Sequence, residues 1–128
     1  MTIIVDDVEY KVNVIYPSHE VEAEIMSGQN EGQAINFSII GDVGATSYSH
    51  RMEIEPDNKF PTDFDALFWA ITAPVNSHRV QLPFLQTTQE FDARITVSKI
   101  TNHGVKNGLR RWRSMTVLFR PVTPQRLA

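Results

Sequence analysis

The chain contains four histidines, the side chains whose type could bind a metal ion or move a proton: His19, His50, His78 and His103. None has a second histidine two to four residues away, the spacing that a metal site on a hairpin or helix usually shows. We therefore expect no metal site and no cofactor. Instead, we expect His50 to be a half-buried strand residue and His78 to be a hydrogen-bonding residue in a turn.

The dipeptide Ser-His occurs at Ser18, Ser49 and Ser77, and suggests a nucleophile paired with a base. Adjacent residues on a strand point to opposite faces, so this spacing does not bring a hydroxyl to its imidazole. The sequence also has no nucleophile elbow, phosphate-binding loop or dinucleotide fingerprint. These patterns predict a protein that is not an enzyme.

A basic segment, residues 99–113, interleaves positive side chains with one aromatic residue: Lys99, Lys106, Arg110, Arg111 and Arg113 beside Trp112. Such a combination can hold single-stranded nucleic acid. The commoner explanation is a solvated loop that leads into a strand.

Several glutamates form a negatively charged surface, opposite in sign to the basic segment. Glu20, Glu22 and Glu24 form an acidic row, which Glu53 and Glu55 extend. An acidic and a basic patch on one protomer can meet between neighbours in a ring, where charge complementarity sets the register more than the affinity.

Alternation of apolar and polar residues predicts that most of the chain is antiparallel β-structure. The predicted strands are residues 2–5 and 8–16 as an opening hairpin, 20–26, 35–40, 47–55, 79–84 and 90–97 as a second hairpin, and 114–120. In the strand 20–26, Val21, Ala23 and Ile25 are expected to face the core. Pro83 favours an edge position for its strand. The tail, residues 121–128, is expected to be extended and loosely held.

One segment, residues 62–72, has helical periodicity. Pro61 supplies a start signal and Pro74 a stop. Its apolar residues recur at i, i+3, i+4 and i+7: Phe64, Leu67, Phe68 and Ile71. The sequence therefore predicts a mainly β fold, an antiparallel β-sandwich or split barrel with one flanking α-helix, in a single domain of residues 1–128.

Trp69 does not belong to the apolar stripe of this helix. At 100° per residue it lies about 140° or 150° from the centre of the stripe, on the side of Asp65. Two explanations remain open. Either the loop after the helix folds back over the indole, or a neighbouring subunit covers it, since tryptophan is enriched at the buried centres of protein contacts.

The composition narrows the class of protein further. The chain has 12 basic and 15 acidic residues and a net charge of -3, which gives no general attraction to nucleic acid or to an anionic membrane. It has no cysteine, which fits assembly in a reducing cytoplasm. No apolar run approaches the roughly 20 residues of a membrane span, so we expect a soluble protein with no membrane partner.

The succession of segments resembles a group of small tail proteins of tailed bacteriophages and prophages, similar to tail-tube and distal-tail (baseplate) proteins. The resemblance lies in "IIGDVGATSYSHRMEIE", "FDALFWAITAPVNSHRVQLPF", "FDARITV" and "WRSMTVLFRPVTPQR". Members of this group carry a Tyr-Asp-Ala-Leu-type helix before a "SAPV-S-H" turn, which residues 64–67 and "TAPVNSH" match. They end a last strand in Pro-Gln-Arg, as in residues 124–126.

The resemblance implies a virion structural protein that forms a ring, commonly of six copies, around a channel through which DNA passes as cargo. Its partners would be copies of itself and other tail or baseplate proteins, in a virion tail made in the host cytoplasm. The acidic row would suit the channel wall, and the loop 27–34 would contact neighbours. The chain departs from distal-tail proteins in having no second carbohydrate-like domain and in its longer basic segment. A head-to-tail joining or tail-terminator protein and a small nucleic-acid-binding β-barrel remain as alternatives.

Overall fold

The computed structural model describes residues 2–27, 43–106 and 108–127. The predicted strand 35–40 and the loop residues after Ser27 lie outside these ranges. The described elements in chain order are β1 (Thr2–Val5), β2 (Val8–Val14), β3 (Glu20–Ser27), β4 (Val43–Pro56), α1 (Pro61–Ile71), β5 (His78–Phe84), β6 (Thr87–Val97), β7 (Asn102–Lys106), β8 (Leu109–Trp112), β9 (Met115–Pro121) and β10 (Arg126–Leu127).

Six of these described strands close into a barrel in the order β4, β2, β1, β5, β6 and β9, with β9 returning to pair with β4. All the pairings are antiparallel. Closure gives each strand two neighbours over part of its length and removes free sheet edges there. The predicted fold class is confirmed, because the described chain is mainly antiparallel β with one flanking helix.

The barrel is filled by the inward side chains of alternating strands. On β4, His50, Met52 and Ile54 are fully buried. They lie opposite the buried residues of β9 in register: Phe119, Val117 and Met115. Burial of each large apolar side chain contributes about 1.5–3 kcal/mol.

The helix α1 covers one side of this core. Phe64, Leu67 and Ile71 are buried, and the helix contacts β1, β2 and β4. The start of the helix is tied to the barrel, since Asp63 Oδ2 accepts a hydrogen bond of 2.8 Å from the backbone N–H of Lys11. The predicted helix 62–72 is thus confirmed to within one residue at each end.

The strand β3 lies outside the barrel. It pairs with residues 43–51 of β4, whereas β4 enters the barrel through residues 50–56. We call β3 together with residues 43–49 the arm. The prediction that Val21, Ala23 and Ile25 face the core is wrong, because no described element packs over this part of β3 and all three side chains are exposed.

Residues 99–113, predicted as a loop, contain a two-stranded sheet of β7 and β8, which we call the basic hairpin. Gly104 and Gly108 take φ values of 112° and 78°, a region in which only glycine is free of strain. Trp112 at the end of β8 packs partly against the barrel core. Arg110 therefore lies on a strand rather than on a solvated loop, whereas Lys99 and Arg113 lie outside β7 and β8.

The tail is also better held than predicted. Arg126 and Leu127 pair with Thr46 and Ala45 of β4. The Gln125 amide accepts a hydrogen bond of 2.8 Å from the backbone N–H of Tyr48 and donates one of 2.7 Å to the Tyr48 carbonyl. These bonds join the tail to the edge of the arm opposite to β3.

The strand β5 is not an edge strand, since β1 and β6 flank it. Its pairing with β1 reaches only Val80 and Gln81, however. Beyond that point Pro83 faces only β6, in register with Thr88. The proline is tolerated because this half of the strand needs no second partner for its backbone.

Candidate subunit interface

Trp69 is the most exposed large aromatic side chain placed on a rigid element, with 80% of its surface accessible. The helix buries its opposite face, so the indole is fixed outward. The loop at residues 73–77 is described and leaves Trp69 exposed, so the explanation in which this loop covers it is wrong. Among the described residues nothing offsets the cost of exposing this indole.

Asp65, one turn before Trp69, points toward a cleft of about 1310 Å³. The cleft lies between the start of α1, the end of β4 and the basic hairpin. Its lining includes both signs of charge and several apolar side chains: Glu55, Pro56, Pro61, Asp65, Val105, Leu109, Arg110, Trp112 and Arg113. A surface of this composition can receive a segment that is apolar on one side and charged on the other.

The residues of the predicted basic patch lie in different environments in the structure. Arg110 is exposed and lines the cleft. Lys106 lies on β7 and Arg111 on β8, but their side chains are not among those described. Trp112 is only partly exposed, because it packs against the core. The aromatic surface predicted for stacking is thus largely used within the fold.

The acidic row is confirmed as one face of β3. Glu20, Glu22 and Glu24 lie in register with Arg51, Ser49 and Ser47 of β4. All three glutamates are exposed, and no ion pair joins them to another described residue. Arg51 and Arg120 line the groove beside the row, so this face carries both signs of charge.

Glu53 and Glu55 do not extend the row as predicted. Arg51 interrupts the face at the end of the row, since it lies opposite Glu20. Glu53 accepts a hydrogen bond of 2.7 Å from the Ser114 hydroxyl. Glu55 lines the cleft instead. The acidic surface is therefore limited to the arm.

His50 is fully buried, not half-buried as predicted, and belongs to a polar network at one end of the barrel. Its Nε2 lies 2.8 Å from Oε1 of Gln89 and its Nδ1 lies 3.1 Å from Nε2 of His19. With Gln89 Oε1 as acceptor, His50 Nε2–H donates to it and Nδ1 accepts from His19. Burial lowers the pKa of both imidazoles, and the proximity of His19 lowers the pKa of His50 further, while the bond to Gln89 opposes this.

His78 is the first residue of β5 rather than a turn residue. Its Nδ1 lies 2.7 Å from Oδ2 of Asp6, and Asp6 Oδ1 accepts a 2.9 Å hydrogen bond from the backbone N–H of Arg79. Asp6 lies in the β1–β2 turn with a positive φ that aspartate tolerates. Burial alone would raise the pKa of Asp6, but the bonds from His78 and Arg79 bring it below its ordinary value. This contact holds the turn to β5.

Among the described residues no hydrogen bond joins a serine hydroxyl to an imidazole, and no cluster of three or more metal-ligating side chains is present. No helix in the described part of the chain is long and apolar enough to cross a membrane.

Comparisons of the chain with protein-family models, with curated proteins and with solved structures found no match. A functional assignment therefore depends on the surfaces of the molecule.

Sequence reasoning missed the cleft and the histidine network. The basic hairpin, which forms one side of the cleft, had a local signal in the sequence, because Asn-Gly at residues 107–108 favours a tight turn between two strands. The network had none, since Gln89 is 39 residues from its partner His50. Pairing between distant strands brings such residues together, and the pattern around each residue does not reveal it.

Proposed function

We propose that this protein is a non-enzymatic structural subunit that assembles with copies of itself into a ring, in the tail or baseplate of a tailed bacteriophage or prophage. DNA would pass through the ring as cargo. The observation that carries the proposal is Trp69, which a rigid helix holds outward with most of its indole exposed.

Exposure of further apolar residues supports self-assembly. On the arm, Val21 and Ile25 are 41% and 71% exposed, and on the basic hairpin Val105 and Leu109 are 68% and 52% exposed. Single exposed apolar residues are ordinary, but these lie on elements that project from the barrel. A partner surface would remove them from water.

The assignment to a phage tail is supported by the resemblance of residues 39–55, 64–84, 91–97 and 112–126 to small tail proteins. A closed barrel with one helix and a projecting arm suits a repeated building block, because its core is complete within one subunit while its binding surfaces lie outside the core.

Electron microscopy of the purified chain tests the proposal. We expect closed rings with a central opening, at protein concentrations in the micromolar range or above. Particles of a single subunit size under all conditions, together with no co-purification of other tail proteins from an infected or induced host, would refute it. A pull-down that returns head-completion proteins instead would favour the joining or terminator role.

A nucleic-acid-binding role has one observation in its favour, since Arg110 and Arg113 line the same cleft as Trp112. The partial burial of Trp112 and the carboxylates of Glu55 and Asp65 in this cleft weaken it. Salt-dependent binding of single-stranded DNA that is lost in Arg110→Glu would support this second role.

A further inference from the structure

We propose that the pair of His19 and His50 is a pH-sensitive joint of the arm, which fixes the arm to the end of the barrel and releases it when both imidazoles are protonated. The joint lies within one subunit, so it goes beyond the proposed ring and does not depend on it. Through the joint, the position of the arm and of its exposed apolar residues would change with pH.

His50 lies at the point where β4 leaves the barrel and enters the arm. Its register partners are Phe119 of β9 on the barrel side and Val21 of β3 on the arm side. His19 directly precedes β3, and a hydrogen bond of 3.1 Å joins its Nε2 to Nδ1 of His50. Oε1 of Gln89 on β6 lies 2.8 Å from the other ring nitrogen of His50. The pair therefore connects the start of the arm to the far side of the barrel end.

Ser18 supplies a second anchor at the same place, and this anchor does not titrate. Its hydroxyl accepts a hydrogen bond of 3.0 Å from the backbone N–H of Glu53 and donates one to the carbonyl of Ile15. Neither a hydroxyl nor a backbone group gains a charge in mild acid. Loss of the histidine contact would therefore let β3 pivot about Ser18 rather than separate from the barrel altogether.

The hydrogen bond between the two rings survives one added proton but not two. In the neutral pair, Nε2–H of His19 donates to Nδ1 of His50, and His50 donates its own N–H to Gln89. A first proton can enter at Nδ1 of His19, which takes no part in this bond. A second proton must enter at Nδ1 of His50. Two N–H groups on two cations would then face each other across 3.1 Å, and the contact would open.

The side chains around His50 offer no negative charge that could stabilise the second proton. Phe84 of β5 and Phe91 of β6 pack against the ring, with centroid distances of 5.9 and 5.5 Å. Tyr48 lies on the same face of β4, and a phenol carries no charge in acid. Successive strand residues alternate between faces, so the charged neighbours in the described strands point to the outer face of the sheet: Glu20 of β3, Arg51 of β4, Glu90 of β6 and Arg120 of β9.

Acid therefore favours the open joint. Burial is the main cause that lowers the pKa of both histidines below the ordinary value of 6.5 while the joint is closed. Opening exposes the rings to water and returns each pKa toward that value. Below pH 6.5 the open form thus binds more protons than the closed form. The equilibrium constant for opening should rise by at most about tenfold per pH unit for each proton taken up.

Hydrogen exchange in the dissociated subunit tests the joint. Amide protection is compared between about pH 7.5 and about pH 5, which lie on either side of the ordinary imidazole pKa. The rates are corrected for the intrinsic pH dependence of exchange. The amides of β3 that bond to β4 should lose protection by about tenfold or more in acid. The amides of Val80 and Phe91, which pair between β5 and β6, should keep theirs.

Three variants assign the effect to the pair. His19→Gln removes one titrating group and keeps a donor for Nδ1 of His50, so the loss of protection in acid should become several-fold smaller. Ser18→Ala removes the anchor that does not titrate, so it should lower protection by the same factor at both pH values. His78→Gln removes a buried histidine that bonds to Asp6 away from the arm, and should leave the response of the arm unchanged.

Several outcomes would overturn the joint. Protection of the arm that is equal at both pH values would refute it, and so would an arm without protection at the higher pH. Simultaneous loss in the arm and the barrel would show global unfolding instead of a separate joint. A His19→Gln variant with the full wild-type response would place the titrating group elsewhere. Each of these outcomes leaves the proposed ring untouched, since the measurement is made on dissociated subunits.

Discussion

The strands β3 and β4 carry the same alternation of apolar and polar residues but have opposite environments. In the barrel half of β4, Met52 and Ile54 are fully buried. In β3, Val21, Ala23 and Ile25 lie on one face with the same spacing of two residues and remain exposed. The difference comes from the position of each strand, because the barrel closes around one and not around the other.

This contrast shows that alternation predicts a strand and not its burial. A side chain is buried only when a second layer covers its face, and the layer is set by pairing between distant segments. Apolar residues of the arm therefore have a different role from those of the barrel. We infer that the barrel residues hold the fold and that the arm residues hold a neighbour.

The sharpest way to test this contrast is to make the same substitution in both regions. Ile54→Ala should lower the free energy of unfolding by about 2–5 kcal/mol, because it leaves a cavity in the barrel. Ile25→Ala should change it by less than about 0.5 kcal/mol, because the side chain is exposed. Urea denaturation at a concentration where the protein is dissociated measures both.

A cost for Ile25→Ala as large as that for Ile54→Ala would contradict the contrast, since it would mean that the arm belongs to the folding core. Measurement under dissociating conditions separates loss of folding from loss of assembly.

A second prediction concerns the pH dependence of the barrel end next to the arm. The pKa values of His19 and His50 lie below the ordinary value of 6.5 in the folded state. Below pH 6.5 the unfolded chain therefore binds more protons than the folded one, and the free energy of unfolding falls as the pH is lowered. The slope is at most about 1.4 kcal/mol per pH unit for each proton, less for the partly exposed His19.

An NMR titration of the imidazole resonances checks this directly. The His50 resonances should titrate with a midpoint below pH 6.5. They should lose their dispersion only at pH values at which the backbone amides of the arm also lose protection from hydrogen exchange. A midpoint for His50 at or above 6.5 would show that the buried network is not neutral.

A third and smaller effect is expected where the tail meets the arm. Gln125→Ala removes two hydrogen bonds to the Tyr48 backbone and should cost about 1 kcal/mol. Hydrogen exchange at Ala45 and Thr46 should rise with it. Thr123→Ala, an exposed change in the same tail, is the control and should leave both quantities unchanged.

The sequence predicted the elements of the barrel better than its surfaces. The helix and the strands β4 and β9 followed from local periodicity, and the outward direction of Trp69 followed from its angle on the helix. The environment of β3, the anchoring of the tail and the partners of His50 depend on contacts between distant segments, which no local pattern encodes. The basic hairpin was missed although Asn-Gly at residues 107–108 favours such a turn.

Trp69→Ala should have the smallest effect on folding of these substitutions and the largest effect on assembly. Trp69→Ala should change the free energy of unfolding by less than about 0.5 kcal/mol, since the indole is exposed in the subunit. A tryptophan at the centre of an interface is often a dominant contact, so its loss should weaken assembly by more than tenfold. Val75→Ala, which also removes an exposed apolar side chain, is the matched control.

Light scattering over a range of concentrations measures this most directly. We predict a multi-subunit mass for the wild-type chain and for Val75→Ala, and a shift toward the monomer mass for Trp69→Ala. A wild-type chain that is monomeric throughout, or a Trp69→Ala variant that assembles like the wild type, would contradict the role of this helix face as a subunit interface.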